Sequence, residues 1–192
     1  FGFAAVFGFI RTALRGDAGW KELRQPASAL ALTTTALFGY HALYFIALKR
    51  APAVEANLLN YLWPLLIVLF AGFLPGVRVR RGQWIGTLLG LLAAVILVTH
   101  GTGIEVKREY MAGYVAALCA AVIWAAYSVL NRRHSAVPSA AITVACALVA
   151  VLGALTHFAF EQSLMPSPTQ WTVLVLMGND TYEVTEGQII FN

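Results

Sequence analysis

The sequence predicts an all-α polytopic membrane protein, and three observations carry that expectation. Five uncharged windows, 25–48, 56–77, 82–104, 110–131 and 134–160, follow one another with only short charged clusters between them. Each exceeds the ~20 predominantly apolar residues that a helix needs to cross the hydrocarbon core. The chain is 59% hydrophobic and 11% charged, whereas soluble domains carry about 25% charged residues. A soluble bundle of this composition would need polar faces recurring along every helix, and windows 56–77 and 82–104 have none. The expectation is about five complete transmembrane helices and one partial one.

The partial helix is the apolar run 1–10, which stops at Arg11 and is too short to span. It begins without Met and reads as the tail of a longer helix; no basic segment precedes it, so a signal peptide is a poor explanation. Residues 11–24 read as a loop of mixed charge, and Gln25-Pro26 marks the entry to the first complete helix. That helix, 27–48, puts Tyr40 and Tyr44 on one face with Thr33 on the same stripe, and points His41 about 100° away. The turn Lys49-Arg50-Ala51-Pro52 is short, so 27–48 and 53–75 are antiparallel neighbours. Pro52 suits the first helical position, where its missing N–H costs nothing. Glu55 in the first turn gains about 0.3–1 kcal/mol from the helix dipole. A sharper reading makes Glu55, together with His41, a site of proton or cation coupling.

The helix 53–75 holds Asn57, Asn60, Tyr61 and Pro64 at i, i+3, i+4, i+7 spacing, with Trp63 beside them. Asparagines facing lipid would leave amide groups unpaired at a cost of several kcal/mol, so this face meets protein or water. Pro64 removes the hydrogen bond to the Asn60 carbonyl and predicts a kink. The face reads either as a binding wall or as a helix-packing site with asparagine as interhelical glue. Gly82, Gly86 and Gly90 repeat every four residues, a pattern that lets another helix approach closely and speaks of packing. His100-Gly101-Thr102-Gly103 lacks the third glycine and the strand–helix setting of a nucleotide-binding turn, and reads as a helix C-cap. Helix 110–131 places Trp124, Tyr127, Ser128 and Asn131 on one face and Tyr114 at the other end, as an interfacial anchor. The last window is featureless apart from His157, and Cys119 and Cys146 read as small buried packing residues.

Charge sets the topology. Loops 11–24, 78–81 and 132–133 hold Arg11, Arg15, Lys21, Arg24, Arg78, Arg80, Arg81, Arg132 and Arg133, against Lys49, Arg50, Lys107 and Arg108 on the alternate side. The positive-inside rule therefore makes 11–24, 78–81 and 132–133 cytoplasmic. These basic residues are topological, so nucleic acid is not an expected partner; the partners are the lipid bilayer and a small molecule. No H-E-x-x-H, G-x-S-x-G, zinc-spaced cysteine pair or phosphate-binding loop is present, and no Asp lies in a membrane window. The expectation is a non-enzyme with no cofactor and no metal.

Three stretches resemble EamA-type members of the drug/metabolite transporter superfamily. They are ALYFIALKRAPAVEANLLNYLWPLLIVLFAGFL (42–74), RGQWIGTLLGLLAAVILV (81–98) and GYVAALCAAVIWAAYSVLNRR (113–133). NYLWP (60–64) with tyrosines at 40 and 44 most resembles the aromatic amino-acid exporter branch. The resemblance implies a ten-helix fold of two inverted five-helix repeats, with 1–104 from the first repeat and 105–174 from the second. It also implies a central cavity lined by Tyr40, Tyr44, Tyr61, Trp63 and Trp124, positions that the helical faces single out together with Asn57, Asn60 and Tyr127. Aromatic rings there suit an apolar or aromatic amino acid. The implied function is export of small metabolites, amino acids foremost, by alternating access across a bacterial inner membrane; a homodimer is compatible with it. The alternative is a non-transporting membrane scaffold.

The end of the chain changes character. Residues 178–192 hold Asp180, Glu183 and Glu186, no basic residue, and a short hairpin pattern. VLMGNDTYEVTEGQIIFN (175–192) resembles the segment after the phosphate-loop helix in the ABC-type ATPase of iron–sulfur cluster assembly. The phosphate loop itself is missing, so no ATP chemistry is carried over; a chimeric join near 171–178 is expected, and the alternative is a genuine, disordered polar tail.

Overall fold

In the computed structural model of the chain, residues 1–74, 80–99, 107–134, 136–160 and 167–176 are described. Among them there are helices and turns and no strand. The helices are α1 (Gly2–Leu14), α2 (Gly16–Glu22), α3 (Ala27–Arg50), α4 (Ala53–Asn60), α5 (Trp63–Gly72), α6 (Arg81–Thr99), α7 (Met111–Leu130) and α8 (Ile142–Phe160). A further helical run covers 168–176. The chain forms two compact units, Gly39–Arg132 and a discontinuous one made of Phe1–Phe38 with Arg133–Asn192.

In the discontinuous unit, α1 packs on α8 and α2 folds back onto α1. Glycine makes the first contact possible: a Cβ on Gly8 would lie 2.3 Å from Thr143 Oγ1. Thr12 Oγ1 donates to the Gly8 carbonyl at 2.9 Å, so its hydroxyl is satisfied inside the buried face. Residues 11–24, expected as a loop, are largely helical. The chain reverses at Gly16, whose φ of +61° is open to glycine without strain, and Arg15 pairs with Glu22 at 2.9 Å across α2. The window 134–160 is likewise shorter as an α-helix than its apolar length suggests. Pro138 disfavours helical geometry in the residue before it, and 3-10 turns occupy Asn131–His134 and Ser139–Ala141. Gln25 Nε2 donates to the Ala141 carbonyl at 2.8 Å, which ties the entry of α3 to the start of α8.

In the unit Gly39–Arg132, α7 packs on α4 and α5, and α6 lies against the same pair. Its centre is built from small side chains: Ala47, Ala51, Ala56, Ala116 and Ala117, with Tyr114 among them. Lipid tails are as apolar as leucine, so such helices hold together through close van der Waals contact. Gly113 is the closest approach, since a Cβ there would fall 2.6 Å from Ala51 Cβ and 2.7 Å from the Arg50 carbonyl carbon. The packing expected at Gly82, Gly86 and Gly90 finds no partner among the described residues, where no atom stands within 4 Å of a Cβ at any of them. Small-residue packing is instead a property of α7. Cys119 also departs from expectation, being exposed, whereas Cys146 is buried.

At the kink expected from Pro64 the α-helical hydrogen-bond ladder breaks locally, while the backbone at Tyr61 and Leu62 stays right-handed helical. The first helix ends at Asn60, Tyr61-Leu62 turn, and α5 opens at Trp63 with the proline in its first turn. Proline supplies no amide to Asn60 and its ring crowds that carbonyl, so a continuous ladder cannot form. Among the described residues four segments are long and apolar enough to cross a membrane: Ala27–Arg50, Ala53–Gly72, Arg108–His134 and Ile142–Phe160. The 19 residues of α6 reach about 28 Å, and α1 is a shorter apolar helix. Residues 100–103, read as a capping turn, lie outside the described residues.

Candidate functional site

The aromatic and amide residues singled out from sequence gather around the α4–α5 interruption, in the unit Gly39–Arg132. Helical spacing does the presenting: α3 offers Tyr40 and Tyr44, α4 offers Asn57 and Asn60, and α7 offers Trp124 and Tyr127. Two hydrogen bonds join α3 to α4. The Tyr44 hydroxyl donates to Asn57 Oδ1, and Asn60 Nδ2 donates to the Tyr40 hydroxyl at 3.0 Å. As the tyrosine number rises the asparagine number falls, which is the register of antiparallel helices. Each such bond inside a membrane helix pair contributes about 0.6–2 kcal/mol.

The rings form a continuous group. Tyr40 and Tyr44 stack with centroids 5.9 Å apart and planes within 7°. Trp124 lies 5.1 Å from Tyr40 at 46°, and Tyr127 lies 5.7 Å from Trp124. His41 meets the edge of Tyr40 at 5.0 Å and 82°. Offset and edge-on pairs of this kind add about 0.5–1.5 kcal/mol beyond burial. Tyr127 is buried and Trp63 half-buried. Tyr61 is 56% exposed, while its backbone stays helical and its amide still donates to the Asn57 carbonyl at 2.8 Å.

Asn60 has an asymmetry. It is 7% exposed, its amide nitrogen is engaged, and its Oδ1 has no partner among the described residues. An unsatisfied buried acceptor costs about 1–3 kcal/mol.

Sequence reasoning missed the pairing of Glu55 with Tyr114. Tyr114 was expected at the membrane interface; it is 6% exposed and its hydroxyl donates to Glu55 Oε2. Tyr110 meets Tyr114 at 6.3 Å and 73°. The described residues contain no cluster of three or more His, Cys, Asp or Glu side chains able to hold a metal.

A helical chain with membrane-length apolar segments and an aromatic, amide-lined helix break is the geometry that the following known proteins match. Residues 1–99 match the EamA-like transporter family. The chain is 44% identical over 170 residues to the aromatic amino acid exporter YddG of Ancylobacter novellus, covering 88% of this chain and 59% of that protein. It is 27% identical to the aromatic amino acid exporter YddG of Escherichia coli, over 70% of this chain and 50% of that one. It is 28% identical to the uncharacterized transporter YyaM of Bacillus subtilis, over 69% of this chain and 44% of that one. A solved crystal structure superposes with a TM-score of 0.87 at 40% identity, covering 97% of this chain and 64% of the other.

This chain belongs to the EamA-like transporter family and is an integral membrane protein. It spans 59%, 44% and 50% of the lengths of the three curated relatives. The likeness of 175–192 to an iron–sulfur assembly ATPase has no support in these comparisons, and all but its first two residues lie outside the described ones.

Proposed function

We propose that the chain is part of a secondary transporter that exports small metabolites, amino acids with aromatic side chains foremost, by alternating access. The observation that carries this reading is the Tyr40–Tyr44–Trp124 ring group, joined to Asn57 and Asn60 at an interrupted helix within membrane-spanning segments. Flat apolar faces bury and stack an aromatic side chain, while phenol and amide groups orient its polar end. The substrate-facing set is Tyr40, Tyr44, Asn57, Asn60, Tyr61, Trp63, Trp124 and Tyr127. His41 and Glu55 are the titratable groups through which a proton or cation gradient would couple to transport.

The names of two relatives, both aromatic amino acid exporters, support the same substrate class. The wider proposal is a ten-helix protein of two inverted repeats, with 1–104 in the first and 105–174 in the second. Loops 11–24, 78–81 and 132–133 face the cytoplasm, and the protein sits in a bacterial inner membrane, where it can pair as a homodimer. The test is efflux of labelled phenylalanine from proteoliposomes holding the full-length protein. Alanine at Tyr44, Asn60 or Trp63 is expected to lower the rate at least tenfold with insertion intact, and unchanged rates would refute the assignment.

One observation favours a non-transporting scaffold: the asparagines are engaged with tyrosines across α3 and α4, as interhelical glue would be. Under that reading the same alanine variants lower thermal stability, and the wild-type protein moves no phenylalanine.

A further inference from the structure

We infer that the interruption between α4 and α5 is a subsite for a monovalent cationic group, held by the side-chain and main-chain oxygens of Asn60 beside the rings of Tyr40 and Trp124. The inference rests on the transporter reading above and assigns the charge of what that site receives.

Pro64 carries no N–H, so the Asn60 carbonyl lacks the amide that a continuous helix would place four residues on. The ladder tightens just before it, the Tyr61 amide donating to the Asn57 carbonyl at 2.8 Å and the Leu62 amide to the Leu59 carbonyl at 3.2 Å. The Asn60 carbonyl is therefore an acceptor without its helical donor, inside a membrane-spanning segment. Independently, the Oδ1 of the same residue is buried with no partner among the described residues, while Nδ2 is occupied by the Tyr40 hydroxyl. The main-chain acceptor does not depend on which way the amide is turned.

Two further features carry the same sign. From Ala53 to Gly72 the sole charged residue is Glu55, an anion, so no lysine or arginine on α4 or α5 neutralises the break. The Tyr40 hydroxyl accepts from Asn60 Nδ2 at 3.0 Å and keeps a second lone pair, and the indole of Trp124, 5.1 Å from the Tyr40 ring, is an electron-rich neighbour that attracts a cation. A carboxylate would meet lone pairs there; an ammonium or alkali ion meets acceptors. Unwound membrane helices coordinate cations through such exposed carbonyls.

The cationic group is either the substrate's own ammonium or a free alkali ion, and one titration separates the two. The full-length protein in lipid nanodiscs is titrated calorimetrically with phenylalanine, phenethylamine and phenylpropionate, first in salt-free sucrose buffer and then with sodium or potassium chloride. Binding of the two amines at least tenfold tighter than phenylpropionate without salt assigns the subsite to the substrate ammonium. Binding of phenylpropionate that arises only on adding the alkali salt assigns it to a free ion. Pro64→Ala, which returns an amide to the Asn60 carbonyl, is expected to cut either preference at least fivefold, and Asn60→Asp to raise it. Equal affinity for all three compounds regardless of salt overturns the subsite and leaves the aromatic wall standing. Failure of every compound to bind overturns both.

Discussion

Helices α6 and α7 carry the same kind of small-residue repeat and do opposite things with it. On α6 the glycines at 82, 86 and 90 meet nothing within 4 Å among the described residues, and Ile85, Leu88, Leu89, Leu92 and Ile96 around them are exposed. On α7, Gly113, Ala116, Ala117, Ala120, Ala121 and Ala125 are buried, with Gly113 against the backbone of the α3–α4 turn. A small residue permits close approach without supplying it. What differs is the pairing: α7 has Tyr114, whose hydroxyl reaches Glu55 at the start of α4, and a charge-assisted bond at one end fixes the register of the stripe behind it.

That contrast can be broken most forcefully at Gly113. Gly113→Val drives two methyl groups into backbone, and overpacking of that kind costs about 3 kcal/mol. It is expected to lower the unfolding midpoint of the detergent-solubilised protein more than any single change on α6. Tyr114→Phe keeps the packing and removes the donor to Glu55, for a loss of about 1.5 kcal/mol by the same measurement. If it proves neutral, the stripe holds register unaided. The smallest effect has the opposite sign: Gly86→Ala and Gly90→Ala each gain up to about 1 kcal/mol, because alanine favours the helix and nothing is in the way. Destabilisation there would show that the α6 glycines receive a helix after all.

Much of this was legible in the sequence because membrane helices obey local rules. Apolar length located α3, α7 and the body of α8, and helical spacing put Tyr40 with Tyr44, Asn57 with Asn60, and Trp124 with Tyr127 before any contact was known. Pro64 gave the break. The errors share one cause: local pattern does not say what lies opposite. Tyr114 near a helix end looks interfacial until its glycine neighbour is known to face Ala51. The glycines of α6 look like a packing seam, yet no described residue stands beside them. The short helix α2 was hidden because seven residues of mixed charge carry no periodicity worth reading.

The discontinuous unit has a consequence for the order of assembly. Helix α1 ends at Leu14 and its partner α8 does not begin until Ile142, whereas α4, α5 and α7 are close along the chain. During synthesis the second group can dock as each helix emerges, and α1 must wait, its Gly8 face in lipid, until nearly all of the intervening chain has been inserted. Long-range closure of this kind is slow. An intermediate in which α8 has yet to insert holds the aromatic cluster formed and α1 packed on α2 without its α8 partner, open to quality-control proteases that recognise an uncommitted membrane helix.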